Sequence, residues 1–377
     1  MKLTKLFTSF FESEKASGLI LIFCTILSIV LTNSNLGESY QHLWHSKIGG
    51  LSIEHIINDG LMTIFFLMIG LELEREIYIG ELSNIKNAML PILAAVGGMV
   101  FPALTYFFFN NNTPYSNGIG IPMATDIAFA IGVLSLLGNK VPSSLKVFLT
   151  ALAVIDDLGA ILVIALFYST NMDWVNLGIA IGLFGILLLM NRLKIYRLWP
   201  YLFLGLFMWY FMLYSGVHAT ITGVLLAFAI PFENGTKKTV SYQLEQKLHW
   251  PVAFIILPLF ALANTAISLQ FNPNEGLFPV YGLGIILGLV LGKPIGITLF
   301  SWISVKLKAA SLPDDLNWKM IFGAGILGGI GFTMSIFIAL LAFTDATVIN
   351  NSKLYIIIGS LIAGISGLFY LKTVLKK

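Results

Sequence analysis

The sequence predicts an all-α polytopic membrane protein. Of its 377 residues, 57% are hydrophobic and only 11% are charged, and the mean hydropathy is +0.87. Soluble globular domains carry about 25% charged residues, so this composition excludes a water-soluble fold. Apolar runs of about 20 residues, the length that a helix needs to cross a bilayer, recur along the chain. Because the segments between them are brief, residues 1–377 are expected to form a single transmembrane domain.

Hydropathy predicts twelve membrane spans. The eighth is short for a bilayer, so it is expected to be tilted, shielded by its neighbours or extended by the preceding turn. The first span could imitate a signal peptide, but Glu12 and Glu14 interrupt the basic region and no small-residue cleavage site follows, so this span is expected to remain. The predicted spans are 16–32, 57–73, 88–109, 117–138, 146–169, 175–191, 198–214, 217–230, 249–269, 280–303, 318–343 and 353–372.

The distribution of lysine and arginine predicts that both termini are cytoplasmic. Of the 22 such residues, only Lys47 and Lys353 fall in the loops of one side, and only Lys293 falls within a span. All others lie in the terminal segments and in the alternate loops. Since basic loops stay in the cytoplasm, this asymmetry sets the orientation and requires an even number of spans. The net charge of +3 therefore reflects topology, and no nucleic-acid partner is expected.

Four ionisable residues are predicted near the middle of spans: Asp126, Asp156, Asp157 and Lys293. One charge at that depth costs about 3 kcal/mol on insertion scales, so such residues usually line a cavity or pair with one another. Adjacent helical residues point about 100° apart, so one acid of the doublet is expected to face a water-filled funnel and the other the helix bundle. The alternative is that one or both acids merely pair with Lys293 and hold helices together, and for Lys293 a structural role is at least as reasonable. The doublet favours a cation site, because three acids and one base leave a surplus of oxygen ligands for a hard ion.

Two predicted spans carry helix-breaking residues. The fourth has Gly118, Gly120 and Pro122 ahead of Asp126, and the eleventh has five glycines within 323–331. Non-helical backbone at membrane depth is tolerated where it is buried or lines a cavity, although glycines also serve close helix packing. Paired broken segments are typical of inverted-repeat transporters. The candidate repeat here pairs spans three to five with spans ten to twelve, although the sequence similarity between them is too weak to show it. The helix ends at such breaks carry partial charges, which Asp126 and Lys293 are expected to offset.

Competition between Na⁺ and H⁺ for the same carboxylates is a sufficient exchange mechanism, since interacting acids titrate jointly. The chain has no Gly-rich loop ending in Gly-Lys-Ser or Gly-Lys-Thr, and its single Cys24 excludes a cysteine metal cluster, so no cofactor is expected. An alternative is a sodium-coupled symporter of an organic anion on a related broken-helix fold. A passive channel would need a repeated pore loop or a ring of acids, and a zinc protease would need His-Glu-x-x-His; the sequence shows none of these.

Eight motifs occur in order along nearly the whole chain: Asn58-Asp-Gly60, Gly70-Leu-Glu-Leu-Glu-Arg-Glu76, Ala124-Thr-Asp-Ile-Ala-Phe-Ala130, Ala153-Val-Ile-Asp-Asp-Leu-Gly-Ala160, Ser215-Gly-Val-His-Ala-Thr220, Leu257-Pro-Leu-Phe-Ala-Leu-Ala-Asn264, Gly292-Lys-Pro-Ile-Gly296 and Gly329-Ile-Gly-Phe-Thr-Met-Ser335. Together they resemble the motifs of the bacterial NhaA Na⁺/H⁺ antiporters. The resemblance implies inverted repeats with two discontinuous helices that cross at mid-membrane, in a multi-pass protein of the bacterial inner membrane. It also implies pH-regulated, electrogenic exchange of cytoplasmic Na⁺ or Li⁺ for external protons.

The resemblance also assigns roles to individual residues. Asp157 is the expected principal ligand of the transported Na⁺, with Asp156 as its partner in proton binding and in pairing with Lys293. Thr125 and Asp126 are expected where the broken helices cross. Asp59 is expected to be a supporting acid on the periplasmic side, and the residues expected to sense pH are Glu72, Arg75, Glu76, His218, Glu245 and His249.

Two further features are expected from the same resemblance. Glu74 stands where a basic residue is expected, which changes the charge of the cytoplasmic funnel. The segment 39–56 corresponds to a periplasmic hairpin that makes homodimer contacts. Its Gly49-Gly50 pair suits a two-residue turn, with candidate strands at Leu43–Ile48 and Leu51–Ile56.

Overall fold

The structure is a computed structural model that describes residues 5–169, 172–233, 239–268 and 279–376. Within that part of the chain, nine helices are long and apolar enough to cross a membrane, and a bent pair of helices makes a tenth. These helices confirm the all-α polytopic membrane fold, whereas the count of twelve spans stays a prediction. Four of the lysines behind the predicted orientation, Lys2, Lys237, Lys238 and Lys377, and residue 269 at the predicted end of the ninth span, lie outside the described residues.

In chain order, the helices are α1 Lys5–Thr32, α2 Gly37–His45, α3 Ile53–His55, α4 Met62–Tyr78, α5 Ile85–Asn110, α6 Ile127–Ser135, α7 Ser143–Phe167, α8 Trp174–Arg192, α9 Leu198–Leu213, α10 Ile221–Ala229, α11 Val240–Pro251, α12 Leu257–Asn264, α13 Val280–Leu287, α14 Lys293–Lys306, α15 Trp318–Gly328, α16 Phe332–Ala342 and α17 Ala346–Val374. The two strands are β1 Lys47–Ile48 and β2 Leu51–Ser52. Wider π-helical turns occupy Ile56–Leu61, Val252–Ile256 and Gly288–Gly292, and tighter 3₁₀ turns occupy Glu81–Ser83, Ser116–Met123 and Gly138–Lys140.

The chain folds as two compact units. The first comprises Met1–His42, Asn84–Ala160 and Ala261–Lys377, and the second comprises Leu43–Ser83 and Ile161–Phe260. The sequence prediction of one transporter domain over 1–377 stays a prediction.

In the first unit, α5 and α14 are in backbone contact. A Cβ atom on Gly97 would collide with the carbonyl oxygen of Gly296, and one on Gly296 would collide with the carbonyl oxygen of Gly97. Only glycine permits this approach. Lys293 opens α14 directly after the π-helical turn, and the close packing holds its side chain fully buried.

Two helices of the first unit are interrupted, as their glycines and proline predict. The 3₁₀ turn that contains Pro122 ends at Met123, the chain is extended at Ala124 and Asp126, and α6 begins at Ile127. The second interruption lies between α15 and α16, whose axes are bent by 48°. Both predicted breaks are confirmed.

In the second unit, α4 packs closely against α10. A Cβ atom on Gly70 would press on Ala227 and Val224, and one on Gly223 would collide with the carbonyl oxygen of Thr63. The short helix α10 is buried along most of its length and shares an apolar core with α8 and α9. This burial agrees with shielding by neighbours, one of the three explanations predicted for the short eighth span, while the span itself stays a prediction.

The hairpin of the second unit is shorter than predicted. Lys47 pairs with Ser52 and Ile48 with Leu51, while Gly49 and Gly50 have φ of 62° and 93°. The turn is as predicted, but the strand bounds Leu43–Ile48 and Leu51–Ile56 are wrong. Leu43 to His45 belong to α2, and the Ser52 side chain accepts a hydrogen bond from His55 N, which caps α3 and ends the strand.

The helix of the predicted ninth span begins at Val240, nine residues before the predicted start. Pro251 lies inside this helical run and cannot donate its backbone hydrogen bond, and the chain passes it through the π-helical turn Val252–Ile256. The helix thus extends nine residues ahead of the predicted start of the span at residue 249, because the polar first turns of α11 carry no apolar signal. The bounds of the span itself stay a prediction. Glu245 and His249 consequently lie within a helix.

Candidate functional site

The two interruptions of the first unit are hydrogen-bonded to each other. Asp126 N donates to Ile330 O at 2.7 Å, and Thr125 Oγ1 donates to Gly328 O at 2.9 Å. A third hydrogen bond, from Ser335 Oγ to Ile121 O at 2.6 Å, joins the 3₁₀ turn to α16. The backbone groups that each break frees from its helix are thus satisfied by the other break, which is how non-helical backbone is tolerated at membrane depth.

The carboxylate of Asp126 lies at the N-termini of two helices. Its Oδ1 accepts from Phe129 N at 3.0 Å in the first turn of α6. Its Oδ2 accepts from Thr333 N at 3.0 Å and from Thr333 Oγ1 at 2.5 Å, at the start of α16. Helix N-termini carry partial positive charge, so one buried carboxylate offsets two of them. This geometry matches the predicted position of Asp126.

Asp156 and Lys293 form a fully buried ion pair in the first unit. Lys293 Nζ lies 2.7 Å from Asp156 Oδ2, and both side chains have 0% exposure. The ammonium group also donates to the carbonyl oxygen of Met123, the last residue of the 3₁₀ turn. Lys293 therefore contacts both an acid of the doublet and the negative end of a broken helix, as predicted.

Thr125 connects the ion pair to the crossing of the breaks. Its hydroxyl lies 2.6 Å from Asp156 Oδ2 and 2.9 Å from Gly328 O. A hydroxyl has a single proton, which serves one acceptor at a time. When Asp156 is ionised, Thr125 can donate to it; when Asp156 is protonated, the acid can donate to Thr125 Oγ1, which then donates to Gly328 O. The contact thus accommodates both protonation states of Asp156.

Asp157 is buried as well, with 1% exposure, and it lies within electrostatic range of Lys293. The expectation that one acid of the doublet faces a water-filled funnel is therefore wrong for this conformation. The reason is that α7 is enclosed on both sides at this level, since Ala153, Val154 and Ala160 are also buried. The doublet, the Thr125 hydroxyl and backbone carbonyls supply oxygen ligands that suit a hard cation. Among the described residues, no group of three or more His, Cys, Asp or Glu side chains is arranged to hold a metal ion.

In the second unit, Arg75 is surrounded by three acids. Its Nε lies 2.9 Å from Glu245 Oε1, its Nη1 3.1 Å from Glu76 Oε1 and its Nη2 3.8 Å from Glu72 Oε1. His249 lies within electrostatic range of Glu245. We call these five residues the Arg75 cluster. The structure brings together five of the six residues predicted to sense pH.

The remaining predicted residues lie elsewhere in the second unit. Asp59 is at the other end of the helical run that leads into α4, with Oδ2 3.1 Å from His55 Nε2. His218 precedes α10, and its Nε2 lies 3.1 Å from Tyr168 O. Glu74 is buried, with 6% exposure, and lies beside Ser241 of α11, outside the contacts of Arg75.

The sequence did not reveal every residue of the site. Ser360 of α17 accepts from Gly331 N and Phe332 N at 3.2 Å each and so caps the interrupted end of α16. Thr333 donates hydrogen bonds from its backbone N and its hydroxyl to the Asp126 carboxylate. Thr333 lies two residues after the last glycine of the cluster, which could have drawn attention to it. Ser360 is a small polar residue in a long apolar helix and gave no such signal.

Known proteins are similar in sequence to this chain over nearly its whole length. The family model described as Na⁺/H⁺ antiporter 1 matches residues 8–371. A Flavobacterium psychrophilum protein named Na⁺/H⁺ antiporter NhaA is 65% identical over 376 residues, which cover 100% of this chain and 98% of that protein. A Flavobacterium johnsoniae protein named Na⁺/H⁺ antiporter NhaA 1 is 62% identical over 100% of this chain and 98% of its own length. A Vibrio cholerae protein named Na⁺/H⁺ antiporter NhaA is 48% identical over 98% of both chains. The chain therefore belongs to the Na⁺/H⁺ antiporter 1 family.

Proposed function

We propose that the protein is a secondary active transporter that exchanges Na⁺ for H⁺ across a bacterial inner membrane. The observation that carries this proposal is the buried group formed by Asp156, Lys293 and Thr125 beside two interrupted helices. The family membership and the names of the relatives agree with it. They give no support to the alternative, a symporter of an organic anion.

The proposed mechanism is competition of Na⁺ and H⁺ for the acid doublet. With Lys293 bound to Asp156, Oδ2 of Asp156 already has the ammonium group as its counter-charge and the Thr125 hydroxyl as a hydrogen-bond partner. A Na⁺ ion bound by Asp157 and Asp156 weakens that pair, because it takes over the negative charge that holds the ammonium group. The doublet and Lys293 together then release protons, and they bind them again when Na⁺ leaves. Because Asp156, Asp157 and Lys293 titrate together, a released proton is assigned to the three groups jointly and not to any one of them.

The exchange is tested by the collapse of a respiration-driven pH gradient in everted vesicles, followed with a pH-sensitive dye. Added Na⁺ should dequench the dye with the wild-type protein. Asp157→Asn should abolish the response, while Asp314→Asn, which alters an exposed loop acid, should leave it unchanged. A response of Asp157→Asn with unchanged apparent Na⁺ affinity would show that Asp157 is not the ligand.

Two further properties belong to the proposal. Exchange of more protons than cations makes transport electrogenic, so an imposed membrane voltage should change the turnover in proteoliposomes; a voltage-independent rate would contradict this.

Li⁺ is proposed as an alternative substrate, because it is a hard cation that oxygen ligands accept. The Arg75 cluster is proposed to regulate the exchange by pH.

The assembly is proposed to be a homodimer in the lipid bilayer that uses segment 39–56, with both termini cytoplasmic. The short β1–β2 hairpin exposes Ile48 and Leu51, which offer an apolar contact surface. A cysteine introduced at Ile48 should form an intermolecular disulfide in membranes, while one at Lys308, in an exposed turn, should not.

A further inference from the structure

An apolar groove lies between α14 and α15 in the first unit, near the loop that connects them. Its volume is about 350 Å³, which falls within the range of small-ligand sites. The side chains that line it are Ile295, Thr298, Leu299, Trp302, Trp318 and Phe322. The one hydroxyl among them, that of Thr298, donates to Pro294 O at 2.7 Å. The groove therefore suits an apolar occupant.

The packing of α14 against α15 produces this groove. The two helices meet where Gly325 lies against Pro294, since a Cβ atom on Gly325 would be only 3.1 Å from Pro294 Cα. Nearer the connecting loop, α15 carries Phe322 and Trp318, and side chains of that size keep the helices from approaching as closely. The ring of Phe322 packs edge-to-face on Tyr370 of α17, with centroids 5.5 Å apart, so the wall of the groove is held in place.

The lining residues of α14 form a stripe on its outer face. Ile295, Leu299 and Trp302 recur at intervals of three and four residues, which places them on one side of the helix. They are 45%, 36% and 44% exposed, whereas Ser301 and Ser304 of the same helix are buried. Because α14 ends a helical run that is long and apolar enough to cross a membrane, this stripe is presented to lipid.

A positive charge lies at the mouth of the groove. Lys306 Nζ is 4.6 Å from the centre of the Trp302 ring, a cation–π contact that holds the ammonium group beside the lining. Segment 306–319, which connects the two helices, carries three lysines and two aspartates and is thus net positive. Trp318 begins α15, whose N-terminus adds partial positive charge. An apolar groove with a cation at its mouth complements a molecule that has an apolar chain and an anionic head.

We propose that the groove between α14 and α15 is a binding site for an anionic phospholipid, with one acyl chain along the groove and the phosphate on Lys306. Basic groups beside apolar pockets between membrane helices bind anionic lipid headgroups, and tryptophans such as Trp302 and Trp318 are enriched at the level of the headgroups. The acyl chain contacts both α14, which begins at Lys293, and α15, which ends at Gly328. The site does not depend on the proposed Na⁺/H⁺ exchange.

The test is quenching of tryptophan fluorescence by phospholipids with brominated acyl chains, which quench on contact. The full-length protein is placed in mixed micelles of detergent and phosphatidylcholine, and brominated phosphatidylglycerol or brominated phosphatidylcholine is titrated in. The difference between the wild type and Trp302→Phe/Trp318→Phe isolates the signal of the groove. Half-quenching of that signal should need about fivefold less brominated phosphatidylglycerol than brominated phosphatidylcholine, the preference expected for one lysine near a membrane surface.

Two exposed lysines provide the matched pair of variants. Lys306→Gln should abolish the preference for phosphatidylglycerol, whereas Lys308→Gln, which removes the same charge outside the lining of the groove, should keep it. Equal curves for the two lipids in the wild type would mean bulk lipid contact only and would overturn the site. Equal effects of the two lysine variants would assign the preference to the net charge of the loop and would overturn it as well. A groove signal that neither lipid quenches would mean that another copy of the chain covers this face, which also contradicts the proposal.

Discussion

At the scale of single residues, the two oxygens of the Asp156 carboxylate differ. Oδ2 faces both Lys293 and Thr125, whereas Oδ1 receives no hydrogen bond from the described residues. A buried carboxylate oxygen without a donor is costly, and an arriving proton or cation removes that cost. This asymmetry gives the ion a place to bind before the contact with Lys293 is given up.

The Asp156–Lys293 pair predicts a pattern in stability. Lys293→Met leaves a buried carboxylate without its counter-charge, and removal of one partner of a buried pair costs about 3–5 kcal/mol. Asp156→Asn should destabilise in the same way. The double variant should recover most of the loss, because no unpaired charge remains. The measurement is thermal unfolding in detergent, followed by tryptophan fluorescence; a double variant as unstable as the sum of the single ones would show that the pair is not coupled.

The Thr125 hydroxyl predicts a change in Na⁺ affinity. Thr125→Val keeps the shape and removes the donor to Asp156, and a hydrogen bond to a charged group is worth about 1.5–3 kcal/mol. Since 1.4 kcal/mol corresponds to about tenfold, the Na⁺ concentration for half-maximal dequenching should rise about tenfold or more.

Thr125→Ser retains the hydroxyl and is the matched control, so its Na⁺ dependence should remain close to that of the wild type. Identical Na⁺ dependence in the valine and serine variants would exclude a role for the hydroxyl.

At the scale of elements, the contacts of Asp126 indicate that its carboxylate caps both α6 and α16. Loss of a capping side chain typically costs about 1 kcal/mol, so Asp126→Ala, which removes one capping contact from α6 and one from α16, should cost about twice that. Asp345→Ala is the matched control, because Asp345 caps α17 alone, with its Oδ1 2.7 Å from Thr347 N. Chemical unfolding of both variants measures the difference. Equal losses would mean that the second cap contributes nothing.

The interruptions were predictable because Pro122 and the glycines of 323–331 remove helical hydrogen bonds or add backbone freedom, and both effects are local. The hairpin was predictable only at its turn. The second strand ends at Ser52, whose side chain accepts a hydrogen bond from His55 N and caps α3. The alternation of apolar and polar residues in the sequence does not reveal that contact. The burial of Asp157 and the cap from Ser360 depend on tertiary neighbours, which the local pattern of the chain does not contain.

At the scale of the whole molecule, the distribution of lysine and arginine predicts which ends of the spans share a side of the membrane. In a background with Cys24 replaced by alanine, a cysteine at Lys376 should react with a membrane-impermeant maleimide only from the cytoplasmic side. A cysteine at Lys47 should react only from the opposite side. Both positions are exposed, so their reactivity reports sidedness. Labelling of both from one side would overturn the orientation.

The central claim is that Na⁺ and H⁺ compete for the group formed by Asp156, Asp157 and Lys293. Isothermal titration calorimetry of the purified protein with Na⁺, repeated in buffers of different ionisation enthalpy, counts the protons released on binding. We predict net proton release by the wild type, a decrease in that release as the pH rises, and reduced release in the Asp156→Asn/Lys293→Met variant. Binding of Na⁺ with the same enthalpy in every buffer would mean that no proton leaves, and competition at the doublet would then be wrong.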